Sequence, residues 1–236
     1  MIKKYKLSIN TGFAVNRFNN NEIFINFVKN YLKLNYIQPT SDWLNMNLPD
    51  RYIFKNVKQL DKTLNKYNVK INSLFTGAFT RLNHLGHPDK EHQKYWVDWF
   101  KRFIDVGIDL GANHVGSHLG ILSYHDNKQR KNLLKTRIIK NWHLIGEYAY
   151  KKKIGSLIWE PMSISREFGE TLNECNQIHS LLNRKKYKFE LCLDVGHGDI
   201  NSKNKSNYDP YKWLEKFSNE SPVIHIKQVK KNNFAH

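Results

Sequence analysis

Three short apolar runs in this chain each end in a side chain able to hold a metal ion. Gly155-Ser-Leu-Ile-Trp-Glu160-Pro161 and Phe189-Glu-Leu-Cys-Leu-Asp194-Val-Gly-His197-Gly198 each deliver a carboxylate, and Pro222-Val-Ile-His225-Ile-Lys-Gln228 delivers an imidazole. The runs are too short for buried helices and alternate too little for half-exposed strands. They read as strands buried on both faces, as in parallel α/β sheets. Such sheets and barrels gather their chemistry at the carboxyl ends of the strands, so Glu160, Asp194 and His225 are expected to converge on one rim. Two carboxylates and an imidazole form a hard, oxygen-rich donor set that suits Mn, Mg or Co better than Zn. Glu160 could both hold such an ion and act on a nearby proton. Each residue also has a plainer reading: an ion-paired Glu, an Asp capping a following helix, a core His bonded to backbone. The coincidence of three strand ends is what favours ligands.

Other candidates surround these three. His118 closes the run Asn113-His-Val-Gly-Ser-His118 and is expected on the same rim, against substrate or a water behind a ligand. Arg166, Glu167 and Lys227 flank the ligands and are candidates for substrate binding. A phosphate would draw on Arg166 or Lys227, although ordinary surface charge explains either equally well. The stretch Thr76–Pro88, with Arg81, His84 and His87, is a lid over the site or an ordinary polar loop.

Strand and helix signals alternate along the chain. Strands are expected over Tyr5–Asn10, Leu34–Ile37, Val69–Phe75 and Asn113–His118, followed by the three runs above. Between them lie a helix over Glu22–Leu32 capped by Asn21, with Ile23, Phe27 and Tyr31 on one face, and a second marked by Val57, Leu60 and Leu64. A third, Asp89–Leu110, carries Trp96, Trp99, Phe100 and Phe103 inward. A long helix capped by Asp126 runs to Lys152 with the stripe Leu134, Ile138, Trp142, Ile145, Ala149. Two more follow, one from Ser165 to Leu182 and a short one begun by Asp209-Pro210. Seven strand-plus-helix beats predict a parallel sheet with right-handed crossovers, in a single (β/α)8-type barrel domain over 1–236. The sequence stops ten residues after the seventh strand and leaves no room for an eighth, so the expectation is a barrel incomplete at its C-terminus. Open edges at the first and seventh strands would then favour a homo-oligomer.

The 236 residues nearly accommodate one barrel, and 40% hydrophobic content allows a sizeable core, which excludes a disordered chain. Lys and Arg number 38 against 21 acids, a net charge of +17 that suggests a polyanion partner or a phosphorylated substrate. The basic residues are scattered, in runs no longer than Lys151-Lys-Lys153, so general compositional bias explains them and nucleic acid is not the expected partner. Cys175 and Cys192 form neither a disulfide framework nor a zinc spacing, which fits a reducing cytosol. The N-terminus lacks the apolar segment of a signal peptide, and no run is long enough to span a membrane. A cytoplasmic protein is expected.

Five blocks together resemble a known family: Phe75-Thr-Gly-Ala-Phe-Thr-Arg-Leu-Asn-His-Leu-Gly-His-Pro88, Gly116-Ser-His-Leu-Gly-Ile-Leu122, Trp159-Glu-Pro-Met-Ser-Ile-Ser-Arg-Glu-Phe168, Leu193-Asp-Val-Gly-His-Gly-Asp199 and Val223-Ile-His-Ile-Lys-Gln228. They are similar to the xylose isomerase-like TIM-barrel sugar-phosphate isomerases and epimerases, above all the branch associated with tetrulose phosphates. The resemblance implies a divalent metal held by a Glu, an Asp, a His and a second Glu on successive strands. It places the first three on Glu160, Asp194 and His225; the second Glu, commonly an acid/base, belongs on the eighth strand. His197 falls where the family commonly has a substrate-binding histidine, and it is first in line for a second proton transfer beside Glu160. The implied reaction is isomerisation or epimerisation of a small ketose or ketose phosphate, with a proton removed beside the carbonyl and an enediolate stabilised by the ion. Two alternatives remain at this point: an endonuclease IV-like, metal-dependent AP endonuclease on the same barrel, and a shortened relative without turnover.

Overall fold

The computed structural model describes residues 5–81 and 85–226. The chain divides into two compact units, 1–80 with 102–115 and 81–101 with 116–236. Its strands follow one another in sequential order, β1-β2-β3 in one sheet and β4-β5-β6-β7-β8 in the other. This is the parallel-strand α/β arrangement that the alternating pattern predicts.

In the first unit, β1 (Ile9–Asn10), β2 (Tyr36–Gln38) and β3 (Lys70–Ile71) pair in parallel, with Ile9 beside Ile37 and Ile37 beside Ile71. The expected third strand is one run in sequence but two in space, because β4 (Ser73–Phe75) follows after a break at Asn72. The Asn72 carbonyl accepts from the amides of Asn113 and His114 at 2.9 and 3.2 Å, which turns it towards the next strand segment.

Helix α1 (Asn21–Asn26) is capped by Asn20 rather than Asn21, the Asn20 Oδ1 accepting from the Glu22 and Ile23 amides at 2.7 and 3.2 Å. It continues as a wider π turn over Phe27–Tyr31, whose altered spacing moves the side chains off a simple 3.6-residue face. Phe24, Ile25 and Val28 are therefore the buried residues, while Ile23 and Tyr31, expected inside, are 60% and 76% exposed. Helix α2 (Asp50–Tyr67) buries Ile53, Val57, Leu60 and Leu64 on one stripe. It ends at Asn68, whose left-handed φ of 49° lets its amide reach the Leu64 carbonyl. In α3 (Lys90–Asp109), Trp96, Trp99, Phe100 and Phe103 are buried as expected.

Strand β5 (His114–His118) precedes a helical stretch that the sequence reads as one helix and the structure breaks in two. The cap of α4 (Tyr124–Gln129) is Ser123, whose Oγ accepts from the Asp126 amide at 3.0 Å. Asp126 itself is buried and holds Arg130, whose Nε donates to Oδ1 at 2.8 Å. Arg130 has left helical geometry (φ −138°, ψ 15°), and α5 (Lys131–Lys151) starts after it. The α5 stripe Leu134, Ile138, Trp142, Ile145, Ala149 is buried, each residue contributing about 1.5–3 kcal/mol for the larger side chains.

The strands that position the site lie in the second unit. β6 (Ser156–Glu160) pairs in parallel with β7 (Phe189–Asp194), Trp159 beside Leu191; β7 pairs in parallel with β8 (Val223–His225), Cys192 beside Val223 and Asp194 beside His225. Every residue of β6, and all of β7 before Asp194, is buried. Helix α6 (Leu172–Leu182) begins seven residues later than expected, because Thr171 caps it by accepting from the Glu174 amide at 3.1 Å. Pro210 opens α7 (Pro210–Phe217) with Asp209 as its cap. Among the described residues no helix is long and apolar enough to cross a membrane.

Candidate metal centre

β6 and β7 are buried along their length, and apart from Glu190, which is paired with Ser156 and Lys188, their charged side chains stand where the ladder ends. Glu160 is the last residue of β6 and Asp194 the last of β7, and the parallel register sets His225, the last of β8, beside Asp194. Each of the three offers a ligand atom, and these atoms all lie within 4.8 Å of one another. Ligands at the usual bond lengths of about 2.0–2.5 Å fit a common ion at that spacing. The donor set therefore suits a hard divalent cation in both chemistry and separation.

The side chains are fixed individually. The Asp194 Oδ1 accepts from the Gly196 amide at 2.7 Å, an Asx turn that leaves Oδ2 facing the site. That turn also brings in His197, whose amide donates to the Asp194 carbonyl at 3.0 Å. The His197 Nδ1 lies 3.4 Å from Glu160 Oε1 and 3.2 Å from the Pro161 carbonyl, and its Nε2 lies 3.4 Å from Asp194 Oδ2. His197 thus bridges the two carboxylates. Gly198 follows at a φ of +130°, where a Cβ would stand 2.3 Å from the Asn207 carbonyl, so only glycine carries the chain past this point. Its amide donates to Ser163 Oγ at 3.3 Å, tying the loop after β7 to the loop after β6.

His225 Nδ1 lies 3.5 Å from Glu160 Oε1. Burial alone would lower the imidazole, but its contacts with Cys192 and Glu160 outweigh this and hold it well above its ordinary value. Burial also pushes the Cys192 thiol up to about 11. Two carboxylates facing two imidazoles demand positive charge, whether as protons on the rings or as a bound cation.

The remaining candidates are placed unevenly. His118 is buried at the end of β5. The Arg166 Nη1 donates to the Leu122 carbonyl at 3.2 Å, and the Leu122 amide donates to the Arg166 carbonyl at 2.9 Å, so this arginine is fastened to the loop after β5. Glu167 is 1% exposed and receives the Arg81 guanidinium in an ion pair. Its place is inside, committed to Arg81. His87 stacks on His92, ring centroids 3.9 Å apart. Lys227 and His84 lie outside the described residues. The sequence reading missed Cys192, which touches the His225 ring at 3.5–3.6 Å. The two-residue strand period would have found it, since Cys192 and Asp194 share a face of β7.

The description of the xylose isomerase-like TIM barrel matches residues 31–236. Over 227 residues the chain is 38% identical to the D-erythrulose 1-phosphate 3-epimerase of Brucella abortus (strain 2308), covering 94% of this chain and 73% of that protein. The structure of a putative xylose isomerase from Rhodospirillum rubrum superposes with a TM-score of 0.87 at 24% identity, over 96% of this chain and 78% of that one. The D-psicose 3-epimerase of Clostridium cellulolyticum H10, solved with D-tagatose, gives 0.70 at 12%, over 94% and 72%. The two solved structures establish the fold, and the matched span together with the 38% relative establishes kinship: the chain belongs to the xylose isomerase-like TIM-barrel family.

Proposed function

We propose that this chain epimerises or isomerises a small ketose phosphate, of the tetrulose 1-phosphate class, by moving a proton on the carbon beside the carbonyl. The observation that carries the proposal is the convergence of Glu160, Asp194 and His225 within 4.8 Å, with His197 bridging the two carboxylates. The 38% identity to an erythrulose phosphate 3-epimerase supports the substrate class. Glu160, Asp194 and His225 would hold a divalent ion, Mn, Mg or Co before Zn. Such an ion, when bound, polarises the carbonyl and the neighbouring hydroxyl and so acidifies the hydrogen between them.

The residues of the chain do the rest. Glu160 Oε1 faces both imidazoles, which leaves Oε2 as the oxygen to receive the proton from carbon. His197 holds Glu160 and Asp194 in register and is the group from which a second proton transfer would come, as inversion requires delivery on the opposite face. Arg166 has one nitrogen engaged by the Leu122 carbonyl; the rest of its guanidinium and Lys227 are the candidates for the phosphate. The endonuclease reading needs a larger cluster of strand-end His and acidic ligands. Among the described residues Glu160, Asp194 and His225 are the one such group.

The test is solvent exchange. Purified protein with Mn and D-erythrulose 1-phosphate in heavy water should place deuterium at C3, followed by NMR, and build up the 3-epimer. No exchange by a folded protein that has taken up one ion per chain would overturn the proposal.

A further inference from the structure

We infer that Cys192 is a positioning residue, a sulfur floor under the His225 ring that sets the plane in which this imidazole meets a metal ion. The inference rests on the metal site proposed above. The geometry of the thiol carries it. Sγ lies 3.6 Å from Nδ1 and 3.5 Å from Nε2 of His225, nearly the same distance from both. The two nitrogens point to opposite sides of the ring, so one sulfur cannot be in line with either at equal range. A sulfur in the ring plane between them would be driven into Cε1. It must lie over the ring face, where a soft, polarisable sulfur packs well against an aromatic surface.

The position of His225 explains why a floor matters. β8 is the least covered strand of the site, all three of its residues only partly buried, and the His225 side chain is 22% exposed. The carboxylates opposite are more enclosed, at 10% for Glu160 and 8% for Asp194. Glu160 Oε1 meets the edge of this imidazole at 3.5 Å, and the sulfur against its face sets the plane of the ring. Cys192 is fully buried, two residues before Asp194 on the same face of β7, and its register partner Val223 lies two residues before His225. The strand that supplies one ligand therefore supplies the support for the next. The sulfur acts here by volume and softness, as a packed surface under the ring.

The experiment measures Mn affinity by calorimetry, and the visible spectrum of the Co-loaded protein, for the full chain and three variants. Cys192→Ala leaves a gap under the ring and should weaken Mn binding about tenfold, the lower end of what outer partners of a ligand contribute. It should also shift or broaden the Co bands. Cys192→Val refills the space without thiol chemistry and should restore most of the affinity. Cys192→Ser is smaller and polar and should stay weak. Wild-type affinity and spectrum in Cys192→Ala overturn the inference, as does a strong Cys192→Ser beside a weak Cys192→Val, since that pattern means hydrogen bonding rather than packing. If Cys192→Ala does not fold, the Val and Ser variants decide between the same outcomes. A wild-type chain that binds no Mn overturns the metal site itself, and with it the floor, a result distinct from tight binding that ignores position 192.

Discussion

The polar strand residues of the two units solve the same problem in opposite ways. In the first unit they are neutral and satisfy one another. The Asn10 amide donates to Gln38 Oε1 at 2.7 Å, Gln38 donates on to Ser73 Oγ at 2.9 Å, and the Thr11 and Thr40 hydroxyls meet at 3.2 Å. Gln38, Thr11, Thr40 and Ser73 are all buried, and each finds its partner on or just beyond a neighbouring strand. In the second unit the strand ends carry Glu160, Asp194 and His225, with oxygens in excess and no Lys or Arg among the three. A closed neutral network is a device for stability, whereas convergent, buried like charges cost stability unless a cation completes them. One set of polar residues closes on itself; the other is the set proposed to bind a cation.

Substitutions should separate these two roles. The largest effect is expected from Glu160→Gln, which keeps the shape of the side chain but removes its basicity. Exchange at C3 should fall by about a thousandfold, a loss of the size that general bases supply, with thermal stability little changed or improved. Asp194→Ala should lower Mn affinity by about a hundredfold or more, beyond what outer partners cost; calorimetry at neutral pH reads this directly. Uptake equal to wild type would move Asp194 out of the binding class and weaken the contrast.

Gly198→Ala tests whether the His197 loop depends on its backbone. A Cβ there would stand 2.3 Å from the Asn207 carbonyl, at a φ of +130°. The expected cost is about 2 kcal/mol or more in urea unfolding, with exchange activity falling as His197 moves. Gln38→Leu is the counterpart in the first unit. It removes partners from Asn10 and the buried Ser73, so stability should drop by about 1–3 kcal/mol while Mn affinity stays at the wild-type value. A change in Mn affinity would show that the two networks are coupled.

The smallest effect concerns His179, next to the site strand but outside its chemistry. Its Nδ1 accepts from Trp159 Nε1 at 3.2 Å and its Nε2 faces Glu220 Oε2 at 2.9 Å, with the Asn183 amide nitrogen 3.3 Å from Nε2. Burial lowers the imidazole more than the Glu220 and Glu190 carboxylates raise it. The unfolded chain, at about 6.5, then takes up the proton first. The neutral ring's contribution is present above that value and is lost as pH falls from there towards the lower folded value. Urea melts across this range should show the decline, and His179→Gln should flatten it.

Local pattern and long-range contact contributed differently to what could be read in advance. Period and run length located the strand regions, although the run 69–75 holds two strands, and they put Glu160, Asp194 and His225 at strand ends. The helix start at Thr171 was also legible: Thr171-Leu-Asn-Glu174 has the spacing of a capping box. Reading the helix from Ser165 passed over it. The face of α1 was not legible, since a π turn and the packing of Phe24 against Trp43, centroids 5.0 Å apart, chose between two apolar faces.

By itself, then, the sequence determined the order of strands and helices, the parallel α/β class and which side chains end the site strands. Only the tertiary structure decided which partners those and neighbouring side chains take. Glu167 is a charged neighbour of the site in sequence, yet it is committed to Arg81, 86 positions earlier. Arg166 is committed to the Leu122 backbone, and Cys192 lies beneath a ring 33 positions later. The physical reason is range: backbone hydrogen bonding repeats within a few residues and leaves a period in the sequence. The pairing of side chains across strands depends on register and burial, and these exist only once the sheet has formed.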